Sequence, residues 1–528
     1  MTALPERKKL FLFSHVSNVR NITGAEKLLL FLARKLSASF DCTLVVPGEG
    51  RLTYLARRRG IGVLVCDIPL LYGMCSPYEG LNRDAEGLMG GKAAEQIAGL
   101  LAAHRPDGVF VNTCVNIVPP VAAKRLGIPV VWHITEVVRD NGYAEEPVRL
   151  IDCYSDRIVG ISEAVLSPFR RQIAADKLNL LFPSWESGEF QPPGSWPQLR
   201  LGKRRAWGVR PEETVVGYIS SFLIREKGPD HFIQAALGLE KAFPHARFVV
   251  IGGEADRAFH RSLRKLAAQA GSGRIVFVDH EDRIEAAYSA MDIAVIPSLI
   301  NEGFGMTAME AMIFGKPVVA YASGGLQEIL NGTGNGDYLV TAGDIAGLSA
   351  KISGLLASPD TIAAAGQANR IRVEEVFGPA AYMGRFHELL EQLHRLTSAP
   401  GNTPADGGRA AGEASPPAAA AEEGEQAAPP PSLLPAAAEP APSGHGAPPR
   451  PAPGAKRRAR PAKAKRRPRP AGAKKRTGVS RSAGKRRPGP AARKHRRRTR
   501  PARSSAGSVR SRKPGRQRRR SAPVRRHP

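Results

Sequence analysis

Two carboxylates lie in a short segment, NEGFGMTAMEAMIFGKPVVA (residues 301–320), that otherwise has the composition of a protein core. Glu302 precedes a Gly-Phe-Gly turn, and Glu310 follows eight positions later. Carboxylates are rarely buried without a partner. A predicted strand over 292–298, a loop and a helix would hold both side chains at the carboxyl edge of a sheet. There a carboxylate accepts hydrogen bonds from hydroxyl groups, and the first helical N–H groups attract an anion.

Each glutamate also has a simpler explanation when it is considered alone. Glu302 would be a solvated loop residue, and Glu310 would be a helix residue stabilised by the helix dipole. The joint pattern of strand, glutamate, Gly-x-Gly and second glutamate favours a binding site, because those two explanations do not account for the spacing.

Short apolar runs alternate with helical patterns along the first 400 residues, which predicts parallel sheets covered on both faces. The fold class is therefore α/β, with two Rossmann-like doubly wound domains that face a cleft. The predicted strands cover 9–14, 42–47, 61–68, 107–112, 128–134, 156–162, 214–220, 246–253, 274–279, 292–298 and 316–321.

A Pro-, Gly- and Trp-rich stretch over 181–205 interrupts this rhythm and predicts a domain boundary. The predicted organisation is a first domain over 1–185, a linker over 186–205, a second domain over 206–378, a helix over 379–396 that packs back on the first domain, an Ala/Pro-rich segment over 397–449 and a Lys/Arg-rich segment over 450–528.

The net charge of +29 is concentrated at one end of the chain. Residues 450–528 contain 33 Lys and Arg and no Asp or Glu, in a composition similar to linker-histone tails. We expect this segment and residues 397–449 to be disordered, because neither offers enough apolar surface to offset its ordering entropy. The predicted partner is a polyanion, either an anionic membrane surface, a wall polymer or nucleic acid. A solubilising tail without a dedicated partner is the alternative.

The five cysteines all lie in the first 153 residues, and no two have the spacing of a metal site. They are interpreted as buried or unreactive thiols of a reducing cytoplasm. No stretch has the length of a membrane span, and the apolar run at the amino terminus is too short for a signal peptide. The expected location is cytoplasmic, with peripheral contact at the inner face of the membrane.

The segment 301–330 resembles the E-x7-E signature of the family 4 glycosyltransferases, which are retaining enzymes of the GT-B fold. The resemblance implies a cleft in which the loop glutamate binds the donor sugar and the helix glutamate binds the nucleotide ribose. The residues that it assigns are Glu302, Phe304, Gly305 and Met306 to the sugar, Thr307 to the phosphates and Glu310 to the ribose.

Two further segments resemble diphosphate-binding elements of this family. In GYISSFLIREKGPDHFIQAA (217–236), Lys227 matches the basic residue that contacts the donor diphosphate, but Ser221 occupies the usual arginine position. Arg225 would supply the missing charge from a different backbone position, or Ser221 itself would suffice. The simpler explanation of Arg225 is an ordinary charged loop. In ITGAEKLLLFLARKL (22–36), Gly24 and the helix start would face the diphosphate or the acceptor. A capping box, with Thr23 as N-cap and a glutamate three residues later, also explains that motif.

His133, at the carboxyl end of a predicted strand, matches a histidine that contacts the donor sugar in many relatives; a packing histidine is the simpler explanation. The resemblance implies His133, Lys227 and Glu302 as catalytic residues and a nucleotide-diphosphate sugar as co-substrate, with no cofactor. The first 400 residues contain no Asp-x-Asp motif, so we expect no metal. The implied reaction is a retaining transfer of a hexosyl group to an unidentified glycan, lipid-linked or cell-envelope acceptor in polysaccharide biosynthesis. Alternatives are another GT-B enzyme, such as a sugar-nucleotide epimerase or a phosphorylase, and a polyanion-binding protein with a degenerate body.

The basic segment yields the first prediction. A peptide of residues 450–528 is expected to bind vesicles containing anionic lipid, and DNA, at low salt, and to be released as salt rises, because binding depends on counterion release. Co-sedimentation with vesicles and retention on DNA measure the effect, with neutral vesicles as the control. An absence of retention at low salt would contradict the prediction.

Overall fold

A computed structural model describes residues 7–19, 22–186, 188–269, 271 and 273–398. The predictions for the Ala/Pro-rich segment from residue 399 onward and for the basic segment 450–528 lie outside the described residues. The predicted α/β class is confirmed, because the described residues form two sheets in which every strand pair is parallel.

The first sheet has seven strands in the order β3-β2-β1-β4-β5-β6-β7. These strands are β1 (Lys9–Phe13), β2 (Asp41–Val46), β3 (Gly62–Val65), β4 (Gly108–Asn112), β5 (Val130–Ile134), β6 (Arg157–Gly160) and β7 (Leu178–Leu180). The helices of this part are α1 (Gly24–Leu36), α2 (Arg51–Arg57), α3 (Leu81–Met89), α4 (Lys92–His104), α5 (Val118–Arg125), α6 (Glu145–Cys153) and α7 (Glu163–Arg170).

The second sheet has six strands in the order β10-β9-β8-β11-β12-β13. These strands are β8 (Thr214–Leu223), β9 (Ala246–Glu254), β10 (Ile275–Val278), β11 (Ile293–Ile296), β12 (Val318–Tyr321) and β13 (Leu339–Val340). The remaining helices are α8 (Trp196–Ala206), α9 (Pro229–Leu239), α10 (Arg257–Ala268), α11 (Ile284–Ala290), α12 (Met306–Ile313), α13 (Gly325–Gly332), α14 (Ile345–Leu356), α15 (Pro359–Phe377) and α16 (Pro379–Ser398). The edge strands β7 and β13 were not predicted, since both are too short for a periodic signal.

The central strands are apolar because helices cover both faces of each sheet. All five residues of β4 and all five of β5 are buried. In each sheet the strand order reverses at one point, between β1 and β4 in the first and between β8 and β11 in the second. Loops diverge from the carboxyl ends of the strands at such a point and leave a crevice there.

Helix α8 lies between the two sheets in sequence and is anchored to the second one by charge. The Asp292 carboxylate, just before β11, accepts from Arg200 at 2.6 Å and also from Arg204. It accepts a third hydrogen bond from the backbone N–H of Val215 in β8 at 2.7 Å. Arg204 is 2% exposed, so this carboxylate neutralises a buried guanidinium.

Helix α16 contacts the first sheet, although it follows the second one in sequence. Tyr382, Phe386 and two leucines of this helix belong to the same buried cluster as β1, β2 and α1. The Phe31 ring of α1 meets Tyr382 edge-on at 4.8 Å between ring centroids. The chain therefore crosses between the two sheets twice, once before α8 and once between α15 and α16.

Within the described residues, no helix combines the length and the apolar composition that a membrane crossing requires.

The contact of α16 yields a second prediction. Replacing Phe386, which is 2% exposed, by alanine removes a ring from the shared core and should lower the free energy of unfolding by about 3–5 kcal/mol. The neighbouring exposed His387→Ala is the matched control, with an expected change within about 0.5 kcal/mol. Urea denaturation measures both; equal effects would show that α16 does not share this core.

Candidate active site

The loop before α12 brings backbone N–H groups to the crevice. Gly305 is the N-cap of α12 with φ 110°, a conformation that L side chains rarely adopt. A Cβ at this position would also collide with the Leu326 side chain. Because the last residue before the helix has no side chain, the first turn at Met306 and Thr307 lies open to a ligand, with the positive end of the helix dipole behind it.

Glu302 and Lys227 form an ion pair at the same edge of the second sheet. The Lys227 Nζ lies 2.6 Å from Glu302 Oε1, and both side chains remain partly exposed. Lys227 ends a 3-10 turn, and the following Gly228 has φ 64° and contacts Pro297 so closely that a Cβ would collide with its carbonyl oxygen. Two residues predicted from separate motifs are therefore in direct contact.

These groups line a cavity of about 420 Å³ between the two sheets, a volume typical of small-ligand sites. Its walls come from both halves of the chain. From the first half they are Gly24, Ala25, Leu28, Thr135, Glu136 and Ile161; from the second they are Tyr218, Ile219, Ser220, Ser221, Phe222, Ile224, Lys227, Ile296, Ser298 and Glu302 through Thr307.

The start of α1 faces the cavity from the first domain. Gly24 and Ala25, its first residues, line the wall. The capping box is present: Glu26 Oε2 accepts from the Thr23 N–H at 2.7 Å, and Thr23 Oγ1 accepts from the Glu26 N–H at 3.3 Å. The side-chain amide of Asn18 donates to the same carboxylate at 3.1 Å. Glu26 therefore has a structural role, whereas the exposed Gly24 is available to a ligand.

Glu310 lies further along α12 and is held by Tyr288. The Tyr288 hydroxyl donates to Glu310 Oε2 at 2.9 Å, and the tyrosine ring stacks on Phe314. Burial raises the pKa of Glu310, while the charge of Lys27 in α1 acts in the opposite direction. One carboxylate oxygen of Glu310 is thus oriented by Tyr288, and the positive charge of Lys27 in the opposite domain stabilises the carboxylate.

Phe304 contributes its backbone, more than its side chain, to the cavity wall. Its ring is 2% exposed and meets Phe182 and Phe377 at centroid distances of 5.9 and 5.4 Å. Phe182 and Phe377 lie at the two crossings of the chain and contact each other at 5.2 Å. This aromatic cluster of three phenylalanines therefore supports the glutamate loop from behind.

The predicted basic partner Arg225 does not line the cavity. Its guanidinium lies over the Phe259 ring at 4.6 Å from the centroid, and the residue is exposed. Ser221 is exposed and does line the cavity. Among the residues predicted from the 217–236 motif, Ser221 and Lys227 reach the site, whereas Arg225 does not.

His133 also lies outside the cavity wall. It is 3% exposed, its Nδ1 is 2.8 Å from Asn112 Oδ1, and its ring contacts Phe110. Since the Asn112 oxygen can only accept, Nδ1 carries the proton. Burial lowers the pKa of His133 to about 4, so the ring is neutral at pH 7. Its surroundings are those of a packing histidine.

Among the wall residues without a role assigned from the sequence are one acid and two aromatic residues. Glu136 follows β5, and burial raises its pKa although the Thr135 hydroxyl and the Cys114 N–H both donate to it. Phe222 is 45% exposed, which is unusual for a phenylalanine in a strand. Tyr218 is buried in the same strand. Phe222 lies at the carboxyl end of β8 and Glu136 just after that of β5, which was the available signal, whereas Tyr218 lies inside β8. Nothing in the sequence distinguishes the three from core residues.

The two domains meet directly beside Glu302. The Ser162 hydroxyl donates to the Gly303 carbonyl at 2.5 Å, and a Cβ at Gly303 would collide with the carbonyl oxygen of Thr135. The Glu328 carboxylate of α13 accepts from the N–H groups of Glu163 and Ala164 at 2.7 and 2.6 Å. The first turn of α7 is thus capped by the opposite domain.

Comparisons with known proteins agree with this geometry. Residues 213–358 match the family model described as Glycosyl transferases group 1. The chain is 28% identical over 295 residues to a D-inositol 3-phosphate glycosyltransferase of Xylanimonas cellulosilytica, covering 51% of this chain and 69% of that protein. It is 33% identical over 187 residues to the protein of that name from Mycobacterium marinum, covering 34% of this chain and 38% of that protein.

Solved structures show the same fold. The crystal structure of Anabaena Alr3699/HepE in complex with UDP and glucose superposes with a TM-score of 0.60 at 20% identity, over 73% of this chain and all of that one. The predicted fold class, with two Rossmann-like domains, is therefore confirmed.

The neutral state of His133 yields a third prediction. Its pKa is about 4 in the native protein, against 6.5 for a solvated imidazole, so the unfolded chain binds a proton over that interval and the native chain does not. The free energy of unfolding should therefore fall as pH drops from 7.5 to 4, by on the order of 3 kcal/mol from this residue.

Urea denaturation across that pH range should show the loss in the wild type, whereas His133→Gln should lack this component. The exposed His245→Gln is the matched control and should keep the wild-type slope. Parallel curves for the wild type and His133→Gln would contradict a neutral buried imidazole.

The part of the chain that forms the second sheet thus matches the Glycosyl transferases group 1 family model over residues 213–358, and the described chain has the two-domain fold of the GT-B glycosyltransferase structures.

Proposed function

We propose that the chain transfers a sugar from a nucleotide-diphosphate sugar to a glycan, lipid-linked or cell-envelope acceptor, with retention of configuration and without a metal. The observation that supports this most directly is the cavity in which two helix starts from opposite domains, at Gly24 and Met306, accompany the Lys227–Glu302 pair. Helix starts and a lysine are the groups that bind a diphosphate without a metal. The structure of HepE in complex with UDP and glucose supports the same ligand class.

The division of roles follows from position. Lys227 and the first N–H groups of α12 would stabilise the leaving diphosphate, because negative charge develops there as the glycosidic bond breaks. Glu302 would accept hydrogen bonds from the sugar, and Lys227 keeps its carboxylate oriented in the free protein. Glu310, oriented by Tyr288, would bind the ribose hydroxyls. Retention is proposed from the family 4 resemblance; no residue of the cavity is assigned as a covalent nucleophile.

The acceptor would enter from the first domain, past Thr135, Glu136 and the loops that follow β1, β3 and β5. Two domains that share one cavity can exclude water from the donor when they close. Binding of a polyanion by residues 450–528, cytoplasmic location and contact with the inner membrane face stay predictions. In this proposal the basic segment would concentrate the enzyme near an anionic acceptor surface.

Lys227→Ala is the first test of the proposal. The variant should release nucleoside diphosphate from its preferred nucleotide sugar about 10²–10³-fold more slowly, because the leaving group loses its cation. Lys241→Ala, an exposed lysine just after α9, is the matched control and should retain full activity. The donor is chosen by a thermal-shift screen of UDP-, GDP- and ADP-sugars. Equal activity of Lys227→Ala and the wild type would contradict the proposed site.

The two glutamates should differ in their effects. Glu310→Gln should weaken binding of the nucleoside diphosphate alone, by about 1.5–3 kcal/mol for a lost charge-assisted hydrogen bond. Glu302→Gln should lower kcat without weakening that binding, because the diphosphate then has no competitor for Lys227. Calorimetry with the diphosphate and initial rates with the nucleotide sugar separate these effects. Glu226→Gln, in the turn of Lys227, is the control. A loss of diphosphate affinity in Glu302→Gln alone would reverse the assignment.

A further inference from the structure

Two thiols and a carboxylate meet in the first domain, next to the cavity. Cys75 Sγ and Cys114 Sγ are 2.7 Å apart, and one ligand atom from each of Cys75, Cys114 and Glu136 lies within 4.8 Å of the others. Cys75 follows a 3-10 turn (Tyr72–Met74), whereas Cys114 and Glu136 follow β4 and β5. The cysteines are 39 positions apart, so their contact was not evident from sequence spacing.

Backbone hydrogen bonds fix this contact. The Leu71 N–H donates to the Val115 carbonyl at 2.9 Å, and the Arg139 N–H donates to the Cys75 carbonyl at 3.0 Å. The Cys114 N–H donates to Glu136 Oε2 at 3.1 Å. The segments that contain the three side chains are thus bound to one another on both sides of the thiol pair.

The segment around Cys114 has an unusual backbone. Thr113 has φ 74°, a region that a β-branched residue rarely adopts. Its hydroxyl and both amide atoms of the buried Asn116 are without a hydrogen-bond partner within the described part of the chain. Such strain persists where surrounding structure enforces it, and it clusters at functional positions. Here the strained residue directly precedes Cys114, which contacts Cys75.

We propose that Cys75 and Cys114 are a reversible redox site that forms an intramolecular disulfide with a hydroperoxide as oxidant, and that Glu136 accepts the proton of Cys114. Cys75 is partly exposed and would be oxidised first, whereas Cys114 is fully buried and would resolve the intermediate. This inference concerns the two thiols and Glu136 and does not depend on the proposed transferase activity.

The chemistry balances in two steps. The Cys75 thiolate sulfur attacks one peroxide oxygen, the O–O bond breaks, and sulfenic acid and hydroxide form; the hydroxide takes up the proton that the Cys75 thiol released. The Cys114 sulfur then attacks the Cys75 sulfur, the S–O bond breaks, the S–S bond forms, and hydroxide leaves. Glu136 takes the Cys114 proton and passes it to that hydroxide as water. In sum, two thiols and one hydrogen peroxide give one disulfide and two waters, with two electrons moving from sulfur to oxygen.

The environment explains why a base is needed. Burial raises the pKa of Cys114 well above its ordinary value, so it remains a thiol at neutral pH. Burial also raises the pKa of Glu136, which makes its carboxylate a better proton acceptor than a solvated one. In other reactive cysteines a neighbouring cation favours the thiolate. Here Glu136 activates Cys114 in a different way, by accepting the proton of its thiol.

The geometry favours a disulfide over a metal site. Two thiolates on a tetrahedral zinc ion, each about 2.3 Å from the metal, lie about 3.7 Å apart. The sulfurs of Cys75 and Cys114 are 2.7 Å apart, well inside this separation, and the cluster of potential metal ligands in the described residues contains only the three side chains named above.

The test uses the full-length protein, purified in dithiothreitol and then exposed to hydrogen peroxide. After alkylation and trypsin digestion without reduction, mass spectrometry should detect peptide 60–83 linked to peptide 93–124, at least about tenfold above a sample reduced again with dithiothreitol. Peptide 60–83 contains both Cys66 and Cys75. Cys66→Ser is therefore the matched control and should retain the linked peptide, whereas Cys75→Ser should lose it.

Three results would overturn the proposal. One is absence of the linked peptide in wild type under peroxide. The second is its loss in Cys66→Ser but not in Cys75→Ser. The third is a zinc ion, seen by native mass spectrometry of the untreated protein, that protects both thiols from alkylation and is lost in Cys75→Ser. Because Cys75 is partly exposed, its serine variant is expected to fold, and circular dichroism verifies this.

Discussion

The free backbone N–H groups at the start of α7 in one domain donate hydrogen bonds to a carboxylate of the other domain. Glu328 accepts two backbone N–H groups there, and Ser162, the N-cap, uses its hydroxyl to hold the Gly303 carbonyl. A helix start that requires an anion thus finds it across the domain boundary. The shared cavity depends on this arrangement, because it sets the distance between the wall of the first domain and the loop that contains Glu302.

Within the cavity, the charge of Lys227 is balanced before any ligand arrives. Lys227 pairs with Glu302, and the start of α12 is uncovered because Gly305 has no side chain. A dianionic ligand would therefore compete with Glu302 for Lys227. It would also be attracted by the positive end of the α12 dipole, without any rearrangement of the helix start. Glu310, farther along the same helix, is held by Tyr288 and does not take part in this exchange. A site built in this way separates the recognition of phosphate from the recognition of ribose.

Much of this architecture could be predicted from the sequence, since it depends on local patterns. The buried strands are recognisable as β-branched runs, and the Glu302–Glu310 spacing identifies a strand–loop–helix unit. What could not be predicted arises from contacts between distant segments. Arg225 and Lys227 are two positions apart, yet Arg225 packs on Phe259 while Lys227 reaches the cavity. The burial of His133 likewise depends on neighbours supplied by other strands.

The three phenylalanines behind the glutamate loop place a mechanical constraint on the molecule. Phe182 and Phe377 mark the two points at which the chain passes between the domains, and both rings contact Phe304. Two crossings so close together act as a hinge. Atoms beside a hinge move little when the domains rotate, whereas atoms far from it move most. Opening of the cleft would therefore displace the outer loops by a large distance and leave Glu302 and its neighbours almost stationary.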